Sequence, residues 1–267
     1  MPILEQYVLG KHPNPALCED FLVITPHFYA VIDGVTSKSD RLFDGKYGGR
    51  YAAELLADAV RTLDPLVTAA EAFAQLNNTL ATINSRPDFA PHDRIQACAI
   101  LYSKARREIW NYGDCSLMIN NYEILHKKKI DDLLASLRSF TILSYLKQGG
   151  KEEDLLSHDI GREAILPFLK TQPLFANTDG AFGYPVLDGT GIRESFLQCY
   201  PVQTGDRIIL ASDGYPKLFD TLADSEAYLQ AILERDPLMI YENKQTKLRG
   251  NDMCSYDDRA YLRFEVE

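Results

Sequence analysis

The stretch F-Y-A-V-I-D-G, residues 28–34, is a run of apolar and aromatic residues that ends abruptly in Asp-Gly. Residues 207–214, R-I-I-L-A-S-D-G, repeat this arrangement late in the chain. Short runs rich in β-branched residues predict two buried strands, each delivering one carboxylate at its carboxyl end. A third acidic cluster, Asp257-Asp258, directly precedes the last strand-like run. We therefore expect carboxylates from distant parts of the chain to converge on divalent metal ions.

The segment just before residue 28 predicts a partner for the first of these strands. Asp20 opens the run D-F-L-V-I-T, and Pro26-His27 then turns the chain into F-Y-A-V-I-D. An antiparallel hairpin of the two strands would place Asp20 beside Asp33. Because adjacent carboxylates repel each other unless a cation lies between them, the pair indicates a metal site. Asp-Gly is otherwise typical of a tight turn, but the polar loop after Gly34 does not continue as a strand.

Helices and strands are predicted in separate runs along the rest of the chain. Apolar residues recur at helical spacing after Gly48-Gly49 and over residues 68–84, where Thr68 and Glu71 match a capping box. Four short strand-like runs follow, and further helices are expected over residues 131–148, 160–170 and 225–233. Since the pattern is not a strict alternation of strand and helix, we predict an α+β fold with antiparallel sheets and segregated helices.

Four local patterns carry their own expectations. Residues 1–18 contain a glycine and several prolines and predict an irregular lead-in. The joint Gly113-Asp114 is compatible either with a plain tight turn or with a site residue. The run Lys127-Lys128-Lys129 predicts a solvated strand end or helix entry. Residues 177–191 are rich in glycine and aspartate and predict an exposed loop, long enough to gate a substrate site.

Composition limits the partners and the compartment. The 267 residues carry a formal charge of −10, which disfavours nucleic acid and anionic membranes as partners. No stretch is long and apolar enough to span a bilayer, and the first residues lack the pattern of a signal peptide. The five cysteines are scattered and predict reduced thiols, so we expect a cytoplasmic protein. The oligomeric state is left open.

Taken together, these motifs resemble those of the metal-dependent protein phosphatases, the PPM or type 2C family. Five motifs fall in that family's order across nearly the whole chain: Glu19-Asp20, Val31-Ile32-Asp33-Gly34, Tyr112-Gly113-Asp114-Cys115, Ala211-Ser212-Asp213-Gly214 and Asp257-Asp258. The resemblance implies that residues 1–267 form a single domain. It further implies a four-layer αββα sandwich, in which two central antiparallel β-sheets are flanked by helices.

The resemblance also implies a centre of two Mg²⁺ or Mn²⁺ ions. Asp33 would bridge both ions, the carbonyl of Gly34 would bind one, and Asp213 and Asp257 would bind the second. Asp33, Asp213 and Asp257 would thus be catalytic through a metal-activated water that attacks phosphorus. Ligand sets made only of oxygen favour Mg²⁺ or Mn²⁺ over zinc, and two such ions about 3.5–4 Å apart can activate water and clamp a phosphoryl group.

Three further acidic residues receive roles from the same resemblance. Glu19 and Asp20 would bind the ions mainly through metal-bound waters. Asp114 matches a position that, together with Asp213, holds a weaker third ion in many family members.

Two positions depart from the family pattern. The stretch K-H-P-N-P-A-L-C before Glu19 lacks the arginine with which many members grip the substrate phosphate. The candidates to replace that arginine are Lys11, His12, Lys38, Arg41 and Arg50. Val35 stands where some relatives carry a histidine that protonates the leaving group, so a metal-bound water would have to do so here.

The leading hypothesis is a metal-dependent phosphatase that hydrolyses phosphoserine or phosphothreonine on proteins. One alternative keeps the chemistry but takes a small phosphorylated metabolite as substrate. Another is a non-catalytic phosphatase-like module that binds a phosphorylated partner or a regulator. The concentration of carboxylates counts against that last alternative, because an inactive site has no reason to tolerate so much unpaired charge.

Overall fold

The computed structural model describes residues 3–267, in which twelve strands and six α-helices are assigned. The strands are β1 (Ile3–Leu9), β2 (Asp20–Ile24), β3 (Phe28–Gly34), β4 (Leu42–Phe43), β5 (Lys46–Tyr47), β6 (Ala97–Ser103), β7 (Glu108–Tyr112), β8 (Ser116–Ile119), β9 (Tyr122–Ile124), β10 (Gln198–Pro201), β11 (Arg207–Ala211) and β12 (Arg259–Glu265). The helices are α1 (Gly48–Arg61), α2 (Ala69–Asn84), α3 (Lys129–Lys147), α4 (Glu152–Ser157), α5 (Ile160–Thr171) and α6 (Leu222–Arg235).

Ten of the strands form two five-stranded antiparallel sheets. Sheet I has the order β1-β12-β11-β8-β9, and sheet II has the order β10-β7-β6-β3-β2. The two short strands β4 and β5 form a separate ribbon just before α1. The predicted hairpin is present, because β2 and β3 pair antiparallel from Asp20 opposite Asp33 to Ile24 opposite Tyr29.

The alternation of side chains along β3 divides the core into two layers. Phe28, Ala30 and Ile32 point to one face of sheet II, where they pack in one cluster with buried residues of α1 and α2. Tyr29 and Val31 point to the other face and pack against side chains of sheet I. Because successive residues of a strand face opposite ways, Asp33 shares the face of Tyr29 and Val31 and lies on the side between the sheets.

Helices also cover the remaining surfaces of the two sheets. Helices α3 and α5 pack against each other, and their residues Ile130, Leu134, Ile165 and Leu169 join the core between the sheets. Leu222, at the start of α6, packs against the outer face of sheet I. The predicted α+β class, with two antiparallel sheets flanked by helices, is therefore confirmed. Across residues 3–267, no helix is long and apolar enough to cross a bilayer.

The prediction of an irregular segment over residues 1–18 is wrong for residues 3–9. Residues 3–9 form β1, which pairs along its length with β12 at the other end of the chain. The prediction failed because the partner strand is remote in sequence and because Glu5 occupies an inward position of β1. There its carboxylate accepts hydrogen bonds from the amide of Leu222 and from Arg263. Residues 1 and 2, which the same expectation covered, lie outside the described residues.

The Gly113-Asp114 joint is not a hairpin turn. Strand β7 ends in sheet II and β8 begins in sheet I, so these residues carry the chain from one sheet to the other. Gly113 has φ +132°, and a Cβ atom there would lie 2.2 Å from the Cβ of Cys98. A crossing this tight requires glycine, and it delivers Asp114 to the space between the sheets.

Candidate active site

The ends of β2 and β3 place two of the predicted site residues side by side. Asp20 and Asp33 are direct cross-strand partners in the antiparallel pairing. Gly34 follows at the point where β3 meets the start of α1, and a Cβ atom there would lie 2.3 Å from the carbonyl oxygen of Gly49. The Asp-Gly sequence therefore lets the strand end pack directly against the first turn of the helix.

The end of β11 brings the second Asp-Gly motif to the same place. The backbone amide of Asp213 lies 3.5 Å from Asp33 Oδ2, although 180 residues separate them in sequence. The two residues open onto a cleft of about 240 Å³, which Gly34, Asp114 and Asp257 also line. Residues from four separate parts of the chain thus meet at one mouth between the sheets.

A lysine lies in the middle of the other acidic residues. The side chain of Lys11 is buried, and its Nζ lies 3.2 Å from Glu19 Oε2, 3.3 Å from Asp257 Oδ1 and 3.0 Å from Asp258 Oδ2. It also donates to the hydroxyl of Thr36, which itself donates to Glu19 Oε2 at 2.7 Å. Although burial opposes its ionisation, the charges of Asp257, Glu19 and Asp258 hold the pKa of Lys11 above its ordinary value.

Two more lysines pair with carboxylates of the site. Lys247 forms an ion pair with Asp257 Oδ2, so that a lysine contacts each oxygen of this carboxylate. Lys128 lies 2.7 Å from Asp114 Oδ2, and both side chains are largely buried. The solvated location predicted for the Lys127-Lys128-Lys129 run is therefore wrong at its central residue. Lys128 directly precedes α3, and the charge of Asp114 holds its ammonium in the protein.

The acidic residues fall into two electrostatic groups. The pKa of Asp20 is raised by burial and by the charge of Asp258, and that of Asp33 by burial, Asp20 and Asp114. The pKa of Asp213 is raised by desolvation among the surrounding protein atoms and by the charges of Asp33 and Asp257. Its side chain is nevertheless exposed to solvent in the cleft. These three carboxylates have like-charged neighbours and no lysine in ion-pair contact within the described chain.

Asp114 and Asp257 form the second group. Burial opposes their ionisation, but Lys128 lowers the pKa of Asp114, and Lys247 and Lys11 lower that of Asp257. The difference between the groups is therefore the presence of a lysine in direct contact.

The donor chemistry of the first group fits a hard divalent ion. Every candidate ligand is a carboxylate or carbonyl oxygen, as Mg²⁺ and Mn²⁺ prefer. The buried Asp20 Oδ2 is an acceptor without a hydrogen-bond partner, so it is free to bind a cation. In the described residues, however, no three acidic, histidine or cysteine side chains are already arranged around one point as a metal site requires.

The five basic residues that were candidates to bind the substrate phosphate have different surroundings in the structure. Lys11 is engaged by three carboxylates, Arg41 lies 2.9 Å from Asp88, and Arg50 donates to the carbonyl of Cys18. Within the described chain, His12 does not line the cleft, whereas Lys38 does.

Sequence reasoning missed several residues of the site. Lys247 and Arg162 line the cleft, and Asp258 accepts hydrogen bonds from the amides of Lys11 and Glu19. No local pattern marks Arg162 or Lys247, because only the tertiary fold brings them to the cleft. The acidic pair Asp257-Asp258 is visible in the sequence. The pair alone does not show which member is a candidate metal ligand and which binds Lys11.

Solved structures with the same architecture are numerous. The serine/threonine phosphatase Stp1 from Staphylococcus aureus aligns over 100% of this chain and 96% of its own, with a TM-score of 0.53 and 14% sequence identity. A bacterial serine phosphatase aligns over 100% and 98%, with a TM-score of 0.50 and 12% identity. The fold is that of the PPM-type phosphatases.

The PPM likeness rests on shape, since the identities are far below those that establish common function. The catalytic domain of the phosphatase PstP, solved with two manganese ions, is a further neighbour at 17% identity and a TM-score of 0.49, aligned over 99% of each chain. No protein-family model and no curated protein sequence matches the chain. The resemblance found in the motifs is thus confirmed for the PPM fold.

Proposed function

We propose that this protein is a metal-dependent phosphatase that hydrolyses phosphoserine or phosphothreonine on proteins. The observation that carries the proposal is the convergence of two Asp-Gly strand ends, with Asp33 and Asp213 in contact at the mouth of one cleft. The PPM fold supports it, since the solved neighbours with this fold include serine/threonine phosphatases. We propose that one domain spanning the whole chain carries the activity.

In this proposal, Asp33, the carbonyl of Gly34, Asp213 and Asp257 would hold two Mg²⁺ or Mn²⁺ ions, and Glu19 and Asp20 would support them through metal-bound water. Asp257 would do so while it also pairs with Lys11 and Lys247. Asp114 would hold a weaker third ion, because its carboxylate already pairs with Lys128. When bound, such ions lower the pKa of water to supply a nucleophile and offset the charge of a phosphoryl group.

The carboxylates of the site outnumber the lysines in ion-pair contact with them. Seven carboxylates have three such lysines among them, and Asp20, Asp33 and Asp213 have none within the described residues. The carboxylates are Glu19, Asp20, Asp33, Asp114, Asp213, Asp257 and Asp258, and the lysines are Lys11, Lys128 and Lys247. Uncompensated charges in a partly buried site are strongly unfavourable, so this excess supports the binding of cations.

The residues of the protein itself hold the reacting groups in position and shield them. Strand pairing fixes Asp33 against Asp20, and the contact of Gly34 with Gly49 fixes the strand end against α1. Asp131 of α3 and Arg162 of α5 line the cleft together with these strand ends. Such preorganised groups raise a reaction rate by holding the reactants in a productive geometry.

One observation favours a second candidate, a phosphatase-like module that binds without catalysis. Lys11, Lys128 and Lys247 neutralise part of the carboxylate cluster, so that part needs no metal ion to be tolerated. The argument from unpaired charge against an inactive site therefore holds only for Asp20, Asp33 and Asp213.

A direct assay separates the two candidates. Hydrolysis of an aryl phosphate and of phosphothreonine peptides is measured with Mn²⁺, with EDTA, and in the Asp33→Asn and Asp213→Asn variants. Turnover that needs Mn²⁺ and is lost in both variants supports the enzyme. Calorimetric metal binding without turnover on any phosphoester supports the binding module, and turnover of small esters alone indicates a metabolite substrate.

We also propose that the protein works in a reducing compartment such as the cytoplasm. All five cysteines are free, and Cys18, Cys98 and Cys115 are buried. Scattered and buried thiols of this kind are typical of proteins that do not form disulfides.

A further inference from the structure

Three basic side chains line the cleft together with its acidic residues. Lys38 comes from the loop after β3, Arg162 from the first turn of α5, and Lys247 from the loop before β12. All three line the cleft that Asp33 and Asp213 also line.

The three cations lie close enough to repel one another. Burial, together with the charges of Arg162 and Lys247, lowers the pKa of Lys38 to about 7, against weaker opposing effects of Glu19 and Asp131. Burial likewise lowers the pKa of Arg162. Cations lie this close together only where the surrounding structure holds them there or where an anion binds between them.

Lys38 and Arg162 have no carboxylate partner in the described part of the chain. The Lys38 ammonium donates to the carbonyl of Thr36, and Arg162 Nη1 donates to the carbonyl of Thr246 at 2.9 Å. These single backbone contacts leave most N–H groups of the two side chains free to donate, since an ammonium has three and a guanidinium five. Lys247 differs, because it is already paired with Asp257.

The subsite is held by a buried arginine. Arg138 of α3 is fully buried and donates to Asp159 Oδ2 at 2.9 Å, while Asp159 caps α5 by accepting from the amide of Arg162. The same guanidinium donates to the carbonyls of Leu238 and Gln245, each at 3.0 Å. Arg138 thus fixes both the helix that carries Arg162 and the loop that leads to Lys247, and it acts as a positioning residue.

We propose that Lys38 and Arg162 form the subsite that binds the phosphoryl group of the substrate, with Lys247 linking this subsite to Asp257. The ligand chemistry is a tetrahedral oxyanion with two negative charges, presented as a phosphomonoester. The guanidinium of Arg162 can donate two parallel hydrogen bonds to such a group, and Lys38 acts as a point charge beside it. The inference rests on the proposed function and names the residues that replace the absent family arginine.

Titration calorimetry of the full chain with inorganic phosphate, in EDTA at pH 6.5, tests the subsite without metal ions or turnover. Wild type is expected to bind phosphate, and Lys38→Ala and Arg162→Ala are each expected to weaken binding at least about ten-fold, as loss of a charged hydrogen-bond donor does. Arg162→Lys keeps the charge but loses the planar fork, so an intermediate loss is expected. Arg41→Ala, whose arginine pairs with Asp88 outside the cleft, is the matched control and should bind as wild type does.

Kinetics with a phosphothreonine peptide complete the test. If the subsite binds the phosphoryl group, KM for the peptide and the inhibition constant of phosphate rise together in the Lys38 and Arg162 variants. Phosphate binding unchanged in both folded variants would overturn the inference, and so would a rise in the peptide KM alone. Phosphate binding by wild type without turnover would overturn the proposed function but leave the subsite standing.

Discussion

The ammonium of Lys11 lies 3.3 Å from Asp257 Oδ1, in direct contact with a carboxylate that the motifs assign to metal binding. The same ammonium also contacts Glu19 and Asp258. A side chain of the protein therefore neutralises one half of the acidic cluster, and the other half, around Asp33 and Asp213, lacks such a partner among the residues described.

Replacement of Lys11 is expected to destabilise the metal-free protein strongly. Lys11→Met leaves the buried carboxylates of Glu19 and Asp258 without their cation and Asp257 with Lys247 alone, and the loss of one partner of a buried ion pair costs about 3–5 kcal/mol. Urea unfolding in EDTA measures the effect on the free energy of unfolding. Lys46→Ala is the control, since Lys46 pairs with Glu54 at a partly exposed site where the expected cost is about 1 kcal/mol or less. Equal stabilities of the two variants would contradict the structural role of Lys11.

Asp33→Asn is expected to have the opposite effect on the metal-free protein. Burial and the charges of Asp20 and Asp114 raise the pKa of Asp33, so ionisation at neutral pH weakens the folded state. Removal of the charge should raise the melting temperature in EDTA, at about 2–4 °C for each kcal/mol recovered in a chain of this size. It should also abolish the stabilisation that Mn²⁺ gives the wild type.

Thermal unfolding with EDTA and with Mn²⁺ measures both effects in one experiment. Asp88→Asn is the control, because Arg41 lowers the pKa of this exposed carboxylate and its loss should bring no gain. An Asp33→Asn variant that melts lower than wild type in EDTA would show that Asp33 is stabilised by its surroundings rather than strained by them.

The affinity of the subsite formed by Lys38 and Arg162 for an anion should fall as the pH rises through 7. The pKa of Lys38 is lowered to about 7 by burial and by Arg162 and Lys247, so Lys38 is cationic below this pH and neutral above it. Sulfate is a suitable probe because its own charge is constant between pH 6 and 9. Titration calorimetry should show an affinity that declines from pH 6 to pH 8.

Other groups near Lys38 must be separated from it in that experiment. Glu19 and Asp131 act on Lys38 from other elements, and His92 and His126 line the same cleft. The Lys38→Ala variant isolates the contribution of the lysine. If this variant keeps the full decline in sulfate affinity with pH, the decline comes from other groups and the assignment to Lys38 is wrong.

Arg138→Met is expected to destabilise the protein by about 3–5 kcal/mol, because it leaves Asp159 Oδ2 and several carbonyls without a donor. Urea unfolding checks this value. Arg235→Ala is the control, since Arg235 forms an exposed pair with Glu242 and should change stability by about 1 kcal/mol or less. A small effect at Arg138 would mean that α5 and the 238–247 loop hold their places without it.

Local patterns predicted the parts of the fold that depend on neighbours in sequence. The β2–β3 hairpin placed Asp20 beside Asp33 as expected, and Thr68 caps α2 with Glu71 in a complete capping box. Strand alternation and helix capping act over a few residues, so they can be recognised without the tertiary structure. The order of the Asp-Gly motifs then pointed to the PPM fold.

What the sequence could not predict are the contacts between remote segments. Strand β1 was missed because β12, its partner, lies at the opposite end of the chain. The burial of Lys128 depends on Asp114, which a sheet-to-sheet crossing brings near it. Arg162 lies at the cleft because α5 packs against α3, where Arg138 binds the Asp159 cap of α5. Such positions follow from packing and long-range charge pairing, which leave no periodic signal in the sequence.

The central claim is that carboxylates gathered between the two sheets support metal-dependent hydrolysis of phosphoesters. Its most direct test is the rate of phosphothreonine-peptide hydrolysis by the purified full chain with Mn²⁺, compared with EDTA and with the Asp213→Asn variant, using Asp88→Asn as the control. We predict turnover in wild type and in the control, and a loss of at least about 100-fold with EDTA or in Asp213→Asn, as removal of one preorganised catalytic group produces. Turnover that persists in EDTA and in Asp213→Asn would contradict the account.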